Sequence, residues 1–319
     1  MNDFFGLSPD AHSTPNELRL MLNGFGPHAG RYIITYPNTS SWKHRIREKF
    51  SEVGDLQRKR IVDTLMQAEL NSSILDAKLF PSAPKATWND SFSWAQNALP
   101  VLSAIKEIRT TYLSDDEYQN ITANDSTLKR YVTPASEVCL ATTDKSFEPS
   151  TENYWSISRI LCSLSHEIHF IDPYFIPKDR YRLPIFSKFL TELSQLKKIQ
   201  SVIFWARIPE RSDSELTAIL NRNIRKATTN CTKRLSITFN FVKDAASKDK
   251  LHARYLLSDK GCIKFDHGFQ LLPQGRTNIA SVVSSDYASE LFRVFSRKEL
   301  DFSIADCVEF ITQPSNRRP

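Results

Sequence analysis

KLHARYLLSDKG, at residues 250–261, is the stretch that decides how the second half of this chain is interpreted. Its apolar and aromatic residues are typical of a β-strand. Lys260-Gly261 predicts a tight turn into a second strand, CIKFDHGF at 262–269. The two segments therefore predict an antiparallel hairpin.

Helical and strand patterns alternate on the N-terminal side of this hairpin. Predicted helices at 154–164, 183–196 and 212–227 precede the apolar strand segments EIHFIDPYF (167–175), SVIFWARI (201–208) and LSITFNFV (235–242). NIASVV at 278–283 predicts a further strand, and residues 287–295 predict a last helix. This order is typical of an α/β fold with a mostly parallel sheet, some antiparallel pairing and flanking helices.

The chain before residue 125 is dominated by helical patterns. They cover residues 16–23, 41–50, 55–79 and 90–112, with an expected kink at Pro100, and RYIITY at 31–36 is the one plausible strand. The polar stretch 114–129 has no periodicity and is the best linker candidate, while a second polar stretch at 142–153 is the alternative. We predict a mainly helical N-terminal region over 1–125 and an α/β domain over 126–319.

Two residues of the opening stretch have the chemistry of a phosphate site. His252 and Arg254 point to the same face of a strand, because side chains repeat every two residues. Arginine offers a planar fork to phosphate oxygens, and histidine acts as a nucleophile or a general acid near neutral pH. Asp259 ends the predicted strand, where it joins the turn or orients a neighbouring imidazole.

The stretch resembles the HxK-x4-D motif of the phospholipase D superfamily, with Arg254 in the lysine position. The segment IDPYF at 171–175 resembles a strand end found in bacterial defence-associated members and in the C-terminal domain of MIT-domain proteins. The resemblance covers roughly residues 150 to 300. It implies a phospholipase D-like mixed sheet flanked by helices in the C-terminal half.

The resemblance also implies a metal-independent and cofactor-free phosphodiesterase, with His252, Arg254 and Asp259 as its catalytic residues. In this family the motif histidine attacks phosphorus and a second histidine protonates the leaving oxygen. Because the chain has a single copy of the motif, an enzyme requires a homodimer in which two His252 residues meet. The basic charge balance and the absence of a lipid-facing apolar segment favour a nuclease acting on DNA or RNA over an enzyme acting on phospholipid. The resemblance implies a setting in anti-phage defence, with partner proteins of such a system.

Two departures from the family pattern support a second hypothesis. Arginine replaces lysine at position 254, and the later GSxN element is not intact near Gly268. The alternative is a catalytically degenerate module that binds nucleic acid, a phosphoinositide or a partner protein. A third, weaker alternative is an adaptor whose N-terminal region assembles a complex.

Further residues are candidates for the substrate site or for nucleic-acid contact. The predicted substrate-binding set is Asp172, Tyr174, His267, Gln270 and Asn278. Asp172 is equally well explained as a turn-former, and His267 as a solvated side chain. Basic helical segments predict nucleic-acid contacts at Lys43, Arg45, Arg47, Arg222 and Arg225, although solvated helix faces explain them about as well.

Composition narrows the class of protein. The 319 residues carry a formal charge of +6, which permits a nucleic-acid partner without demanding one. Five scattered cysteines without a CxxC pair favour neither a disulfide framework nor a zinc site and fit the cytoplasm. No glycine-rich nucleotide loop, signal peptide or transmembrane run is expected.

Overall fold

The computed structural model describes residues 3–80, 82–85, 87–120, 128–130, 144–208, 213–243, 253–297, 299 and 303–312. The chain divides into two compact units, Asn2–Thr142 and Thr143–Pro319. The predicted boundary between residues 125 and 126 lies outside the described residues.

The N-terminal unit is built on a parallel sheet. Its described strands are β1 (Asp3–Leu7), β2 (Arg31–Thr35), β3 (Ile74–Asp76), β4 (Ile108–Leu113) and β5 (Leu128–Arg130). Its described helices are α1 (Pro15–Asn23), α2 (Thr39–Lys49), α3 (Asp55–Leu70), α4 (Trp94–Leu102) and α5 (Asp115–Gln119). The strand order is β3-β2-β1-β4-β5, and every neighbouring pair is parallel.

The prediction of a mainly helical N-terminal region missed this sheet. All five residues of β2 are buried, as expected when helices cover both faces of a parallel sheet, so such a strand shows no alternating pattern. The helix predicted over 90–112 is wrong in its second half. It ends at Leu102, and the β-branched residues Ile108, Thr110 and Thr111 lie in β4.

The C-terminal unit contains a mixed sheet with helices on both faces. Its described strands are β6 (Asp144–Phe147), β7 (Glu167–Ile171), β8 (Ser201–Arg207), β9 (Ser236–Lys243), β10 (Tyr255–Ser258), β11 (Gly261–Phe265), β12 (Asn278–Val282) and β13 (Ser303–Ile311). Its described helices are α6 (Thr151–Leu164), α7 (Leu183–Gln195), α8 (Asp213–Ala227) and α9 (Ser285–Ser296). The strand order is β13-β9-β8-β7-β10-β11-β12-β6.

This architecture confirms the predicted α/β class, with a mixed sheet flanked by helices. The β10–β11 hairpin is antiparallel as predicted, with Ser258 opposite Gly261. The sheet is less parallel than expected, since only the β7–β8 and β8–β9 pairs run parallel. The strands β6 and β13, which extend the two edges by antiparallel pairing, were not predicted.

Two apolar clusters hold the helices to the sheet. On one face, rings such as Phe170, Phe204 and Phe269 pack against residues of α6, α7 and α8. On the other face, Trp205 and Leu257 pack against residues of α9. The sheet is therefore fixed from both sides, and the loops at its ends are held by rigid elements.

Candidate functional site

The ends of β7 and β8 and the beginning of β10 meet at one edge of the C-terminal sheet. β10 runs antiparallel to β7 and places Tyr255 opposite Ile171. Asp172 follows β7, Arg207 ends β8 and Arg254 precedes β10, so all three lie at this edge. We call it the carboxyl edge. Ligands of α/β proteins commonly bind beyond the carboxyl ends of the strands.

Asp172 is a buried carboxylate at the carboxyl edge, with only 3% of the residue exposed. Its Oδ1 accepts a hydrogen bond from the Tyr174 backbone N–H at 3.0 Å, and its Oδ2 accepts one from the Phe269 N–H at 3.1 Å. Burial raises the pKa of Asp172, while these hydrogen bonds and the charge of Arg254 act in the opposite direction. A group so enclosed positions its neighbours, and its burial argues against the predicted direct substrate contact.

Arg254 is held between the carboxylate and a backbone carbonyl. Its Nε lies 3.9 Å from Asp172 Oδ1, and its Nη1 donates a 2.6 Å hydrogen bond to the Asp266 carbonyl. The side chain is partly exposed. A guanidinium has five N–H donors, and these two contacts leave others directed elsewhere. The arrangement suits an oxyanion at the carboxyl edge.

The turn at residues 266–270 closes over this pair. Gly268 has a φ of +67°, and a Cβ there would lie 2.2 Å from Asp172 Oδ2 and 2.6 Å from Arg254 Cδ. Glycine is therefore required for the turn to approach both side chains. The Gly268 carbonyl accepts hydrogen bonds from the Tyr154 hydroxyl at 2.6 Å and from Asn278 Nδ2 at 3.1 Å.

Asn278 is a structural residue of that turn. It is fully buried, and its Oδ1 accepts the backbone N–H of His267 at 2.9 Å. Its Nδ2 donates to Tyr154 and to Gly268 at 2.8 and 3.1 Å. Because its amide is occupied inside the protein, the structure argues against the predicted substrate contact. His267 itself is exposed on the turn.

Gln270 connects the turn to the loop that follows β7. Its Oε1 accepts a hydrogen bond from Arg182 Nη2 at 3.0 Å, and its Nε2 donates to the His267 carbonyl at 3.1 Å. Arg182 also pairs with Asp179 at 2.7 Å. These contacts hold the loop and the turn together. Arg182 is therefore a third arginine in the region of the carboxyl edge, with Arg207 and Arg254.

Tyr174 is an exposed aromatic ring beside two arginines. The residue is 47% exposed. The Cζ atoms of Arg254 and Arg207 lie 5.6 and 5.8 Å from the centre of its ring. Backbone hydrogen bonds from Asp172 N to the Trp205 carbonyl and from Arg207 N to the Pro173 carbonyl align the loop with β8. The predicted residue Tyr174 and the unpredicted Arg207 thus lie together.

Asp259, predicted to be catalytic, lies at the opposite edge of the sheet. It follows β10, and its carboxylate accepts the backbone N–H of His166 at 3.0 Å and contacts that imidazole at 3.3 Å. Asp259 lies five residue steps beyond Arg254 along an extended strand, which corresponds to roughly 16 Å. The placement argues for a role in fixing the hairpin to the start of β7.

His252 lies outside the described residues, so its predicted position beside Arg254 stays a prediction. Arg254, Tyr174, His267 and Gln270 are brought to one region by the carboxyl edge and the 266–270 turn. Tyr154, Arg182 and Arg207 also belong there and were missed. Arg207 could have been found from the sequence, because it lies near the carboxyl end of a predicted strand, where ligands of α/β proteins commonly bind. Tyr154 and Arg182 are recognisable only from their tertiary contacts.

The three basic residues of the N-terminal unit that were predicted to contact nucleic acid lie in different environments. Lys43 is buried and forms an ion pair with Glu69, which argues against its predicted contact. Arg45 pairs with Asp10 at 3.0 Å. Arg47 is exposed on α2 and stays a candidate.

Arg222 and Arg225 are both exposed on α8. Arg225 lines a groove with Thr312, whose hydroxyl accepts the backbone N–H of Leu235 just before β9. Arg225 therefore lies near the amino end of β9, away from the carboxyl edge.

No described helix is both long and apolar enough to cross a membrane. No group of three or more His, Cys, Asp or Glu residues among the described positions has an arrangement suited to a metal ion.

The fold defines an α/β protein whose C-terminal unit gathers Arg182, Arg207 and Arg254 near one edge of its sheet. No protein-family model matches the sequence, and no curated protein matches it. Among solved structures, the chain is similar to the crystal structure of polyphosphate kinase from Porphyromonas gingivalis, with 15% identity and a TM-score of 0.31. The match covers 51% of this chain and 27% of that chain, and similarity this low supports no conclusion about fold or activity.

Proposed function

We propose that the C-terminal unit is a phospholipase D-like, metal-independent phosphodiesterase that acts on nucleic acid as a homodimer. The observation that carries the proposal is the placement of Arg254. Its guanidinium is braced by the buried Asp172 and by the Asp266 carbonyl at the carboxyl edge of a mixed sheet. The H-x-R-x4-D pattern and the DPYF segment supply the resemblance to that superfamily.

In the proposed reaction, Arg254 binds two oxygens of the phosphodiester. A His252 ring nitrogen attacks phosphorus, forming a P–N bond as the P–O bond to the leaving group breaks. The His252 of the second subunit donates a proton to the leaving oxygen. Water then cleaves the P–N bond, giving a phosphomonoester and restoring both histidines.

Labelled DNA and RNA incubated in EDTA test this function. We expect cleavage by the wild-type chain and by His44→Ala, which removes an exposed histidine of α2 in the other unit. We expect none by His252→Ala. Equal cleavage by wild type and His252→Ala, or no cleavage by wild type, contradicts the proposal. We also propose that this nuclease acts in cytoplasmic anti-phage defence, a setting supported only by the resemblance of the DPYF segment to bacterial defence-associated members of the superfamily.

The second candidate is a module that binds phosphate without cleaving it. It is favoured by the contacts of Arg254, which stands in the lysine position, lies near the Asp172 carboxylate and already donates a hydrogen bond to the Asp266 backbone carbonyl. Such a module binds oligonucleotides through Arg254 but does not cleave them. The His252→Ala variant is then expected to bind oligonucleotides without cleaving them as well.

A further inference from the structure

We propose that the carboxyl edge takes single-stranded nucleic acid, with an unpaired base stacked on Tyr174 and the adjoining phosphates held by Arg254 and Arg207. The inference rests on the proposed function and names its substrate class. It is carried by the juxtaposition of an exposed aromatic ring with two arginines at one end of the sheet.

Tyr174 is positioned for contact with a ligand. Its backbone N–H is fixed by the buried Asp172 carboxylate at 3.0 Å, so the ring is attached to a rigid part of the sheet. Nearly half of the residue, 47%, remains exposed. An aromatic platform that is both fixed and exposed loses little conformational freedom when a base stacks on it.

Two cations lie over the ring of Tyr174. Arg254 and Arg207 come from different strands, yet both Cζ atoms lie within 5.8 Å of the Tyr174 ring centre. The guanidinium groups leave 47% of Tyr174 exposed, and a base that stacks on this exposed part brings the phosphates of its strand near both cations. Aromatic stacking combined with arginine contacts is the chemistry by which proteins bind single strands.

A second exposed tyrosine lies in the same loop. Tyr181 is 38% exposed, and Arg180 lies over its ring with Cζ 4.9 Å from the centre. Its carbonyl accepts the backbone N–H of Leu271 at 2.9 Å, which ties this part of the loop to the end of the 266–270 turn. The loop after β7 thus presents two partly exposed aromatic rings, each with an arginine over it.

This arrangement favours a single strand over the other phosphodiesters. In a duplex the faces of the bases are stacked on each other and are not available to Tyr174. A phospholipid surface calls for exposed aliphatic side chains. The two exposed hydrophobic residues of this loop are both tyrosines. The exposed aliphatic residues described in the C-terminal unit, Ile279 and Ile311, lie on two separate strands, β12 and β13.

The test uses the full chain carrying His252→Ala, so that bound strands stay intact. The probes are a fluorescent oligothymidylate, an oligomer of the same length with stable abasic sites, and the duplex form. We expect the abasic oligomer and the duplex each to bind roughly tenfold more weakly than the oligothymidylate. Tyr174→Leu is expected to remove the preference for bases, and Tyr174→Phe to keep it.

Tyr118→Leu is the matched control, because Tyr118 is 43% exposed but belongs to the N-terminal unit. It is expected to leave all affinities unchanged. Equal binding of normal and abasic oligomers, a preference for the duplex, or an unchanged preference in Tyr174→Leu overturns the inference. Binding to phosphatidic acid vesicles in place of any oligomer overturns it as well.

The cleavage of the abasic oligomer by the wild-type chain separates the two proposals. If that oligomer is cleaved while bases add nothing to affinity, the phosphodiesterase stands and the single-strand inference fails. If bases strengthen binding but no oligomer is cleaved, the inference stands for a binding module and the phosphodiesterase fails.

Discussion

The Asp172 carboxylate and the Arg254 guanidinium approach each other at 3.9 Å, between Oδ1 and Nε, at the carboxyl edge of the C-terminal sheet. The two residues are far apart in the sequence and are joined by the pairing of β7 with β10. The same carboxylate accepts the N–H groups of Tyr174 and Phe269. One buried group therefore orients the arginine, the aromatic platform and the turn.

The tight approach of the turn predicts that Gly268→Ala is strongly destabilising. Alanine at a φ of +67° costs about 1–2 kcal/mol, and its Cβ would also collide with Asp172 Oδ2. Gly275→Ala is the matched control, since its φ is +82° but no atom lies within 4 Å of a Cβ there. Denaturant unfolding should show a larger loss of stability for Gly268→Ala. Equal losses would mean that the turn is not held against Asp172 and Arg254.

Arg254 is predicted to contribute directly to phosphate binding. Arg254→Gln should weaken binding of every oligonucleotide and lower the slope of log K against log salt by about 0.7–0.9, the value for one phosphate contact. Arg225→Gln removes an exposed arginine near the amino end of β9 and should leave the slope unchanged. Titrations at several salt concentrations measure both. A larger effect of Arg225→Gln would move the nucleic-acid surface away from the carboxyl edge.

Glu167, on the α9 side of the sheet, is predicted to make the free energy of unfolding depend on pH. The hydrogen bond from His169, at 2.7 Å, lowers the pKa of Glu167, and the hydroxyls of Ser201 and Ser296 act in the same direction. Stability from a lowered carboxyl pKa is fully present above the unfolded value of about 4.3. It is lost as pH falls through the folded value.

Glu167→Gln is therefore expected to lower the free energy of unfolding more at pH 6 than at pH 3. Denaturant unfolding of both proteins at constant ionic strength across this range gives the comparison. A difference between them that is constant with pH, or that grows toward low pH, would contradict the assigned ionisation.

The sequence predicted the positions of candidate site residues that belong to a single strand or hairpin. It did not predict the roles of residues that depend on tertiary packing. The apolar strand segments and the Lys260-Gly261 turn predicted the hairpin that carries Arg254. The role of Asn278 was not predictable, because its hydrogen-bond partners lie on α6 and in the 266–270 turn. The spacing of Asp259 and Arg254 along one strand is enough to predict that the two side chains lie far apart. Only the contact with His166 shows what the carboxylate does.

The proposed homodimer is predicted to form its active site from residues of both subunits. Differently tagged wild-type and His252→Ala chains are co-expressed, and the hybrid dimer is isolated through both tags. If each reaction needs two His252 residues, the hybrid has a single one and lacks either the nucleophile or the general acid. Since a general acid alone contributes about 100-fold or more, its cleavage rate should fall by at least that factor. A hybrid with half of the wild-type rate would mean that each subunit acts alone, and a chain that is monomeric by solution mass would exclude the shared site.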